Sequence, residues 1–176
     1  MSNTFFANSS SIGFDPNNMS ATALFAVGTH ILGNNDTEWV YVQAQTTISA
    51  LSFVAFNATF SAGMASAGDV AINGANIALA NAQISASSFG WVAVRGANLS
   101  CIFTGTGSLA LTSGQLQLAS SAGPTGTIML GTVGTASCTL AGISLVATAT
   151  SSATGLGTGG ANVCLVNLYW PQQASR

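Results

Sequence analysis

Residues 89 to 104, FGWVAVRGANLSCIFT, contain two runs of alternating apolar and polar side chains separated by Arg95-Gly96-Ala97-Asn98. Alternation with a period of two marks a strand with one buried face. Glycine at the first central position of a two-residue turn suits a tight hairpin. In that register Arg95 pairs with Asn98, Val94 with Leu99, Val92 with Cys101 and Trp91 with Ile102. Val92, Val94, Leu99, Cys101 and Phe103 then share a core face, and Trp91, Ala93, Arg95, Asn98, Ser100 and Ile102 share a mixed one. The stretch predicts a β-hairpin at the centre of a β domain.

Upstream, LFAVGTHILGNNDTEWVYVQ reads as a second hairpin turning at Gly33-Asn34-Asn35-Asp36. Pairing Leu32 with Thr37 puts Phe25, Val27, Ile31, Val40 and Val42 on one face and His30, Trp39 and Tyr41 on the other. The outward Trp39 and Tyr41 are then a cross-strand stabiliser on a solvated face or part of a subunit interface, where such residues are enriched. The second use is favoured because several strands look apolar on both faces. LSFVAF is a further strand, SAGMASAGDV a loop, and ANIALANAQI a strand or short helix, with strand preferred. Leu109, Leu111, Leu116 and Leu118 alternate around Thr112-Ser113-Gly114 as another hairpin. TIMLGTV and SCTLAGISLVATAT give two more strands, and ANVCLVNLYW a last one stopped by Pro171.

The expected fold is all-β: a single-domain antiparallel β-sandwich or Greek-key barrel spanning residues 21–171. Residues 1–20 are an extended or flexible N-terminal arm, rich in Asn and Ser, with Phe5, Phe6 and Phe14 as anchors for a neighbour; a disordered terminus is the plainer reading. Residues 172–176 form a short tail. Val163 to Trp170 is almost continuously apolar, which marks a strand buried on both faces. Its second face is expected to meet another subunit or a partner.

Across 176 residues there are two arginines, four carboxylates and no lysine, so charged residues make up 3% of the chain against about 25% in ordinary domains. Ala, Gly, Ser and Thr supply about half of it. Nucleic acid is excluded as a direct ligand, because phosphate neutralisation needs clustered Lys and Arg. Mean hydropathy is +0.52, yet no run reaches the roughly 18 apolar residues of a spanning helix, so no membrane partner is expected. The first residues lack the basic and apolar regions of a secretory signal. Cys101, Cys138 and Cys164 have no metal-ligand spacing and read as small buried hydrophobes, with a structural disulfide or a metal site as the lesser alternative.

Gly155-Leu156-Gly157-Thr158-Gly159-Gly160 matches a dinucleotide-binding pattern, but these glycines precede a strand instead of following one and opening a helix. The Asn-x-Ser/Thr triplets at Asn8, Asn18, Asn35, Asn57 and Asn98 follow from Asn and Thr abundance. His30 is the only histidine, and the register above separates it from Asp36 and Glu38. The kit for acid-base or nucleophilic chemistry is nearly empty, so no enzyme, cofactor or metal is expected. Exposed Trp39, Tyr41 and Trp91 would suit a carbohydrate platform, which stands as an alternative.

FGWVAVRGANLSC, with FAVGTHILGNNDTEWVYVQA and the closing Tyr169-Trp170-Pro171, resembles small charge-poor proteins of tailed bacteriophages, marine ones especially, that decorate the head. The resemblance spans roughly Ala21 to Pro171. It implies an all-β decoration or cement protein, frequently trimeric, made in the host cytoplasm and seated on the outer surface of the virion shell, with the major capsid protein as partner. The residues expected at its contacts are Phe5, Phe6, Phe14, His30, Trp39, Tyr41, Trp91 and Arg95. A receptor- or sugar-binding module of a phage fibre or surface structure is the second reading, and a self-assembling structural subunit the third.

Overall fold

The alternating runs fold as strands, and the longest of them does not turn back. In a computed structural model the described residues are 4–6, 14–33, 36–65, 76–103, 115–118, 128–131, 139–150 and 162–174, and they contain no helix. The strands are β1 (Thr4–Phe6), β2 (His30–Leu32), β3 (Glu38–Ala44), β4 (Phe53–Phe56), β5 (Ser61–Met64), β6 (Asn76–Ala80), β7 (Phe89–Phe103), β8 (Gln115–Leu118), β9 (Ile128–Gly131), β10 (Thr139–Thr150) and β11 (Asn162–Ala174).

β7 is the spine. It runs unbroken through Arg95–Asn98, so the expected hairpin there is corrected to a single strand of 15 residues. Its first half pairs with β3 on one side and β6 on the other, and its second half pairs with β11 from Arg95 to Phe103. The turn chemistry at its middle serves another purpose. Gly96 has φ 156° and Asn98 φ 57°, and the β3 and β11 ladders both shift register beside them. Such irregularities bend a strand and increase its twist without reversing it. The bend lets the second half of β7 return to the barrel wall, where the Ile102 amide donates to the Leu51 carbonyl at 2.9 Å.

The pairings β3–β5, β5–β4, β4–β6, β6–β7 and β7–β3 close a β-barrel. Inward residues come from every one of its strands: Val40, Val42 and Ala44; Ala62; Val54 and Phe56; Ala78 and Ala80; Val92 and Val94. They are mostly Val and Ala, as a narrow lumen requires. Ile48 and Ile84, joined by an isolated bridge, complete this core. β5 lies in SAGMASAGDV, expected as a loop; its small side chains suit close parallel pairing with β3 at Gln43↔Ser61 and Ala44↔Ala62. Asn57 makes the β4–β5 turn, its side-chain oxygen accepting from the Thr59 and Ser61 amides at 3.0 Å each.

The outer wall carries a second core. Trp39, Tyr41, Phe53, Ala55, Ile77, Leu79, Trp91 and Ala93 pack there with Phe14, Ile31, Cys101, Cys164, Val166 and Leu168. The β2–β3 ladder explains the difference from expectation. Its register is Leu32↔Glu38, Ile31↔Trp39 and His30↔Val40, one residue from the register that pairs Leu32 with Thr37. A slip of one residue moves every side chain to the opposite face, so Ile31 joins Trp39 and Tyr41 while Val40 and Val42 enter the barrel. Residues 21–28 form bends and turns where a strand was expected. Tyr41 ties this segment down: its hydroxyl accepts from the Leu24 amide at 3.2 Å, and its carbonyl accepts from the Gly28 amide at 2.8 Å.

The remaining strands pair as β7–β11, β11–β10, β10–β8, β8–β9 and β9–β7. β11 continues through Pro171, expected as its stop, to Ala174. The ladder with β10 jumps from Leu168↔Ile143 to Gln172↔Ala141. Pro171 lies inside that irregularity, where its missing N–H costs no regular ladder bond. Gln172, Gln173 and Ala174, expected in the tail, are paired.

Candidate functional site

Half of the chain's six formally charged side chains, Asp36, Glu38 and Arg95, lie at one end of β3 together with its single histidine. In the expected register Glu38 faces away from His30. With His30 opposite Val40, Glu38 becomes its diagonal neighbour on the same face, and the His30 Nδ1 and Glu38 Oε1 atoms lie 3.0 Å apart with both side chains mostly buried. A neutral imidazole with its hydrogen on Nδ1 donates to the carboxylate there; protonation turns the bond into an ion pair. Arg95 is the backbone partner of Glu38 across the β3–β7 ladder, and its guanidinium Nη2 bonds the Asp36 carboxylate Oδ2. Asp36 has φ 58°, a conformation that Asp tolerates better than most residues. It is the more exposed partner of this pair.

His30, Asp36, Glu38 and Arg95 thus form two internal pairs. A histidine held by a carboxylate resembles a base with its orienting group. Among the described residues, no three His, Cys, Asp or Glu side chains gather as a metal-ligand set.

The residues expected at contacts divide sharply. Trp39, Tyr41 and Trp91 are only 6%, 2% and 3% exposed, which corrects their assignment to an outward face, and Phe14, expected as an arm anchor for a neighbour, is 6% exposed in this chain's own core. Phe14 packs edge-on against Trp91 at 5.0 Å and tilted against Trp39 at 6.0 Å between ring centroids. Trp91 also meets Tyr41 at 4.8 Å and Phe25 at 5.2 Å. Buried rings of this kind offer neither a partner protein nor a sugar a platform. Phe5 and Phe6 belong to β1, which pairs in parallel with β2; their side chains lie outside the described residues. Of the expected contact residues with described side chains, Arg95 is the one with substantial exposure, and His30 is spent largely on Glu38.

The exposed large apolar side chains lie elsewhere: Met19 at 43%, Leu24 at 65%, Val27 at 40% and Tyr169 at 60%. Met19, Leu24 and Val27 belong to the strap that covers the aromatic core. Val27 was expected inside, but residues 26–29 turn, with the Thr29 amide donating to the Ala26 carbonyl at 3.0 Å. The available signal was Gly28 two residues before β2. It has φ 82°, and a Cβ built there would overlap the Phe60 ring. On β11, Cys164, Val166 and Leu168 face the core, while Val163, Leu165 and Asn167 are half-buried and Tyr169 is exposed. That face is partly open within the single chain.

Cys138 and the Gly155–Gly160 motif lie outside the described residues. Comparisons with family models, curated proteins and solved structures found no match to this chain.

Proposed function

We propose that this protein is a structural component of a virion, a decoration or cement protein that binds the outside of a major capsid protein shell and bridges neighbouring subunits. The reading rests on the phage-type sequence resemblance and on one observation: Met19, Leu24 and Val27 expose apolar surface along one strap. Their exposure accompanies a low charge content, and Arg95 and His30 are each paired with a carboxylate within the chain. Such a surface favours contacts through apolar burial, which salt screens little. We read the fold as the barrel form of the expected architecture, with a trimer as its working state.

The mechanism is mechanical. Many copies add buried area across seams that a packaged genome strains outward, and the barrel resists deformation because ring closure leaves its strands no free lateral edge. The carbohydrate alternative has lost its aromatic platform, since Trp39, Tyr41 and Trp91 are core residues.

The test begins with copy counting in purified particles, comparing this chain with the major capsid protein. A fixed simple ratio supports the reading, and absence from the particle removes it. The paired experiment adds purified chain to undecorated shells in low and high salt. Wild type should stay bound in about 1 M salt, whereas Leu24→Glu with Val27→Glu should keep the fold and weaken binding by at least about tenfold. Undiminished binding of the folded double variant would show that the strap is not the contact. Shells assembled by the isolated chain would favour a self-assembling subunit.

A further inference from the structure

We propose that Cys101 and Cys164 are a redox-active pair that closes to a disulfide, stapling β7 to β11. The two residues are direct partners in the antiparallel ladder. Their Sγ atoms lie 3.2 Å apart with both cysteines free, and both are almost wholly buried.

The backbone is already suited to the bond. Opposed residues in antiparallel strands have Cα atoms about 4.5–5.5 Å apart, inside the ~4.4–6.8 Å range that disulfides span. The ladder runs without a register shift from Asn162↔Phe103 to Val166↔Leu99, so two regular pairs flank the cysteines on each side. Closing the sulfurs to about 2.05 Å therefore needs side-chain rotation of about 1 Å and no strand movement. Opposition in register is also what separates this pair from two cysteines that merely fill a core. The hydrogen bond between them divides their acidity: it raises the Cys101 thiol, with burial adding to the effect, and lowers Cys164 against the cost of burial.

The oxidant is a low-molecular-weight disulfide. The thiolate of one of the two cysteines attacks one of its sulfurs, forming a mixed disulfide and expelling one thiolate. The sulfur of the other cysteine then attacks the protein sulfur of the mixed disulfide, breaking that bond and expelling the second thiolate. Two protein thiols lose two electrons, the oxidant's S–S bond gains them, and the two thiol protons end on the two released thiols. Both sulfurs are shielded in the folded chain, so exchange takes place while β7 and β11 are still apart, and docking then protects the bond from reductants. The staple spans a sequence separation of 63 residues, enclosing β8, β9 and β10.

The experiment refolds the full chain from denaturant to equilibrium in a buffer of reduced and oxidised glutathione with the reduced form in excess. Remaining thiols are alkylated, and the native protein is digested and mapped by mass spectrometry. The expected result is a Cys101–Cys164 linked peptide in most native molecules, with Cys138 alkylated, and a Tm higher than that of the fully reduced protein by on the order of 10 °C. Native protein with all three cysteines alkylated would overturn the proposal. So would a bond joining Cys138 to either partner. Equilibrium refolding removes access as an explanation for a negative result, and the outcome is independent of the capsid reading.

Discussion

Replacing Trp91 by alanine separates a buried aromatic core from an outward contact surface. Trp91 is 3% exposed and touches Phe14, Phe25 and Tyr41 with centroid separations between 4.8 and 5.2 Å. A buried aromatic side chain removes ~150–250 Å² from water. At ~25 cal/mol per Å² this amounts to about 4–6 kcal/mol as an upper bound, because the unfolded chain is already partly compact. Measured aromatic-to-alanine costs of ~3–5 kcal/mol agree, so about 4 kcal/mol is expected for Trp91→Ala. Against a typical domain stability of ~5–15 kcal/mol, that is a large fraction. Urea unfolding, followed by far-UV circular dichroism because the substitution removes a fluorophore, should show a lower midpoint at an unchanged slope, and Tm should fall by about 10 °C. A loss below about 1 kcal/mol together with weakened oligomerisation or shell binding would refute the reasoning, since it would put the ring on a surface.

Gly28→Ala should destabilise by about 2–4 kcal/mol: the residue sits at φ 82°, and its new Cβ would overlap the Phe60 ring. Differential scanning calorimetry on the purified variant checks this, and an unchanged Tm would mean that the strap does not turn there. Asp36→Asn should cost no more than about 1 kcal/mol, because the pair with Arg95 is solvent-exposed. Its small effect should vanish in high salt, as a double-mutant cycle with Arg95→Ala in low and high salt will show.

Much of the fold was legible as strand segments. LSFVAF, ANIALANAQI, TIMLGTV and SCTLAGISLVATAT contain β4, β6, β9 and β10, because β-branched and aromatic runs between turn residues have few other ways to bury themselves. Asp15-Pro16-Asn17-Asn18 is rich in turn residues and does turn, with the Asn17 amide donating to the Asp15 carboxylate at 2.9 Å. Less of the candidate site was legible. Meeting of His30 with Glu38 depends on a one-residue register choice, and Asn35 and Asp36 permit both choices locally. Exposure of Leu24 and Val27 depends on residues 21–28 wrapping the barrel instead of pairing as a strand. Opposition of Cys101 and Cys164 joins positions 63 residues apart, beyond any local pattern.

An all-β chain, poor in charge, with strands broken by Gly, Asn and Pro turns, was readable from the residues alone, since period-two alternation and turn chemistry are local properties. Whether Arg95-Gly96-Ala97-Asn98 would reverse the chain or bend it was settled by long-range pairing. Both outcomes are open to a flexible glycine followed by an asparagine in the left-handed region. The bend prevails because a continuous β7 pairs with β3 and β6 through one half and β11 through the other, satisfying far more backbone groups than a hairpin folded on itself. The same long-range pairing chose the face of every aromatic residue on β3, and with it which side chains remain for a partner.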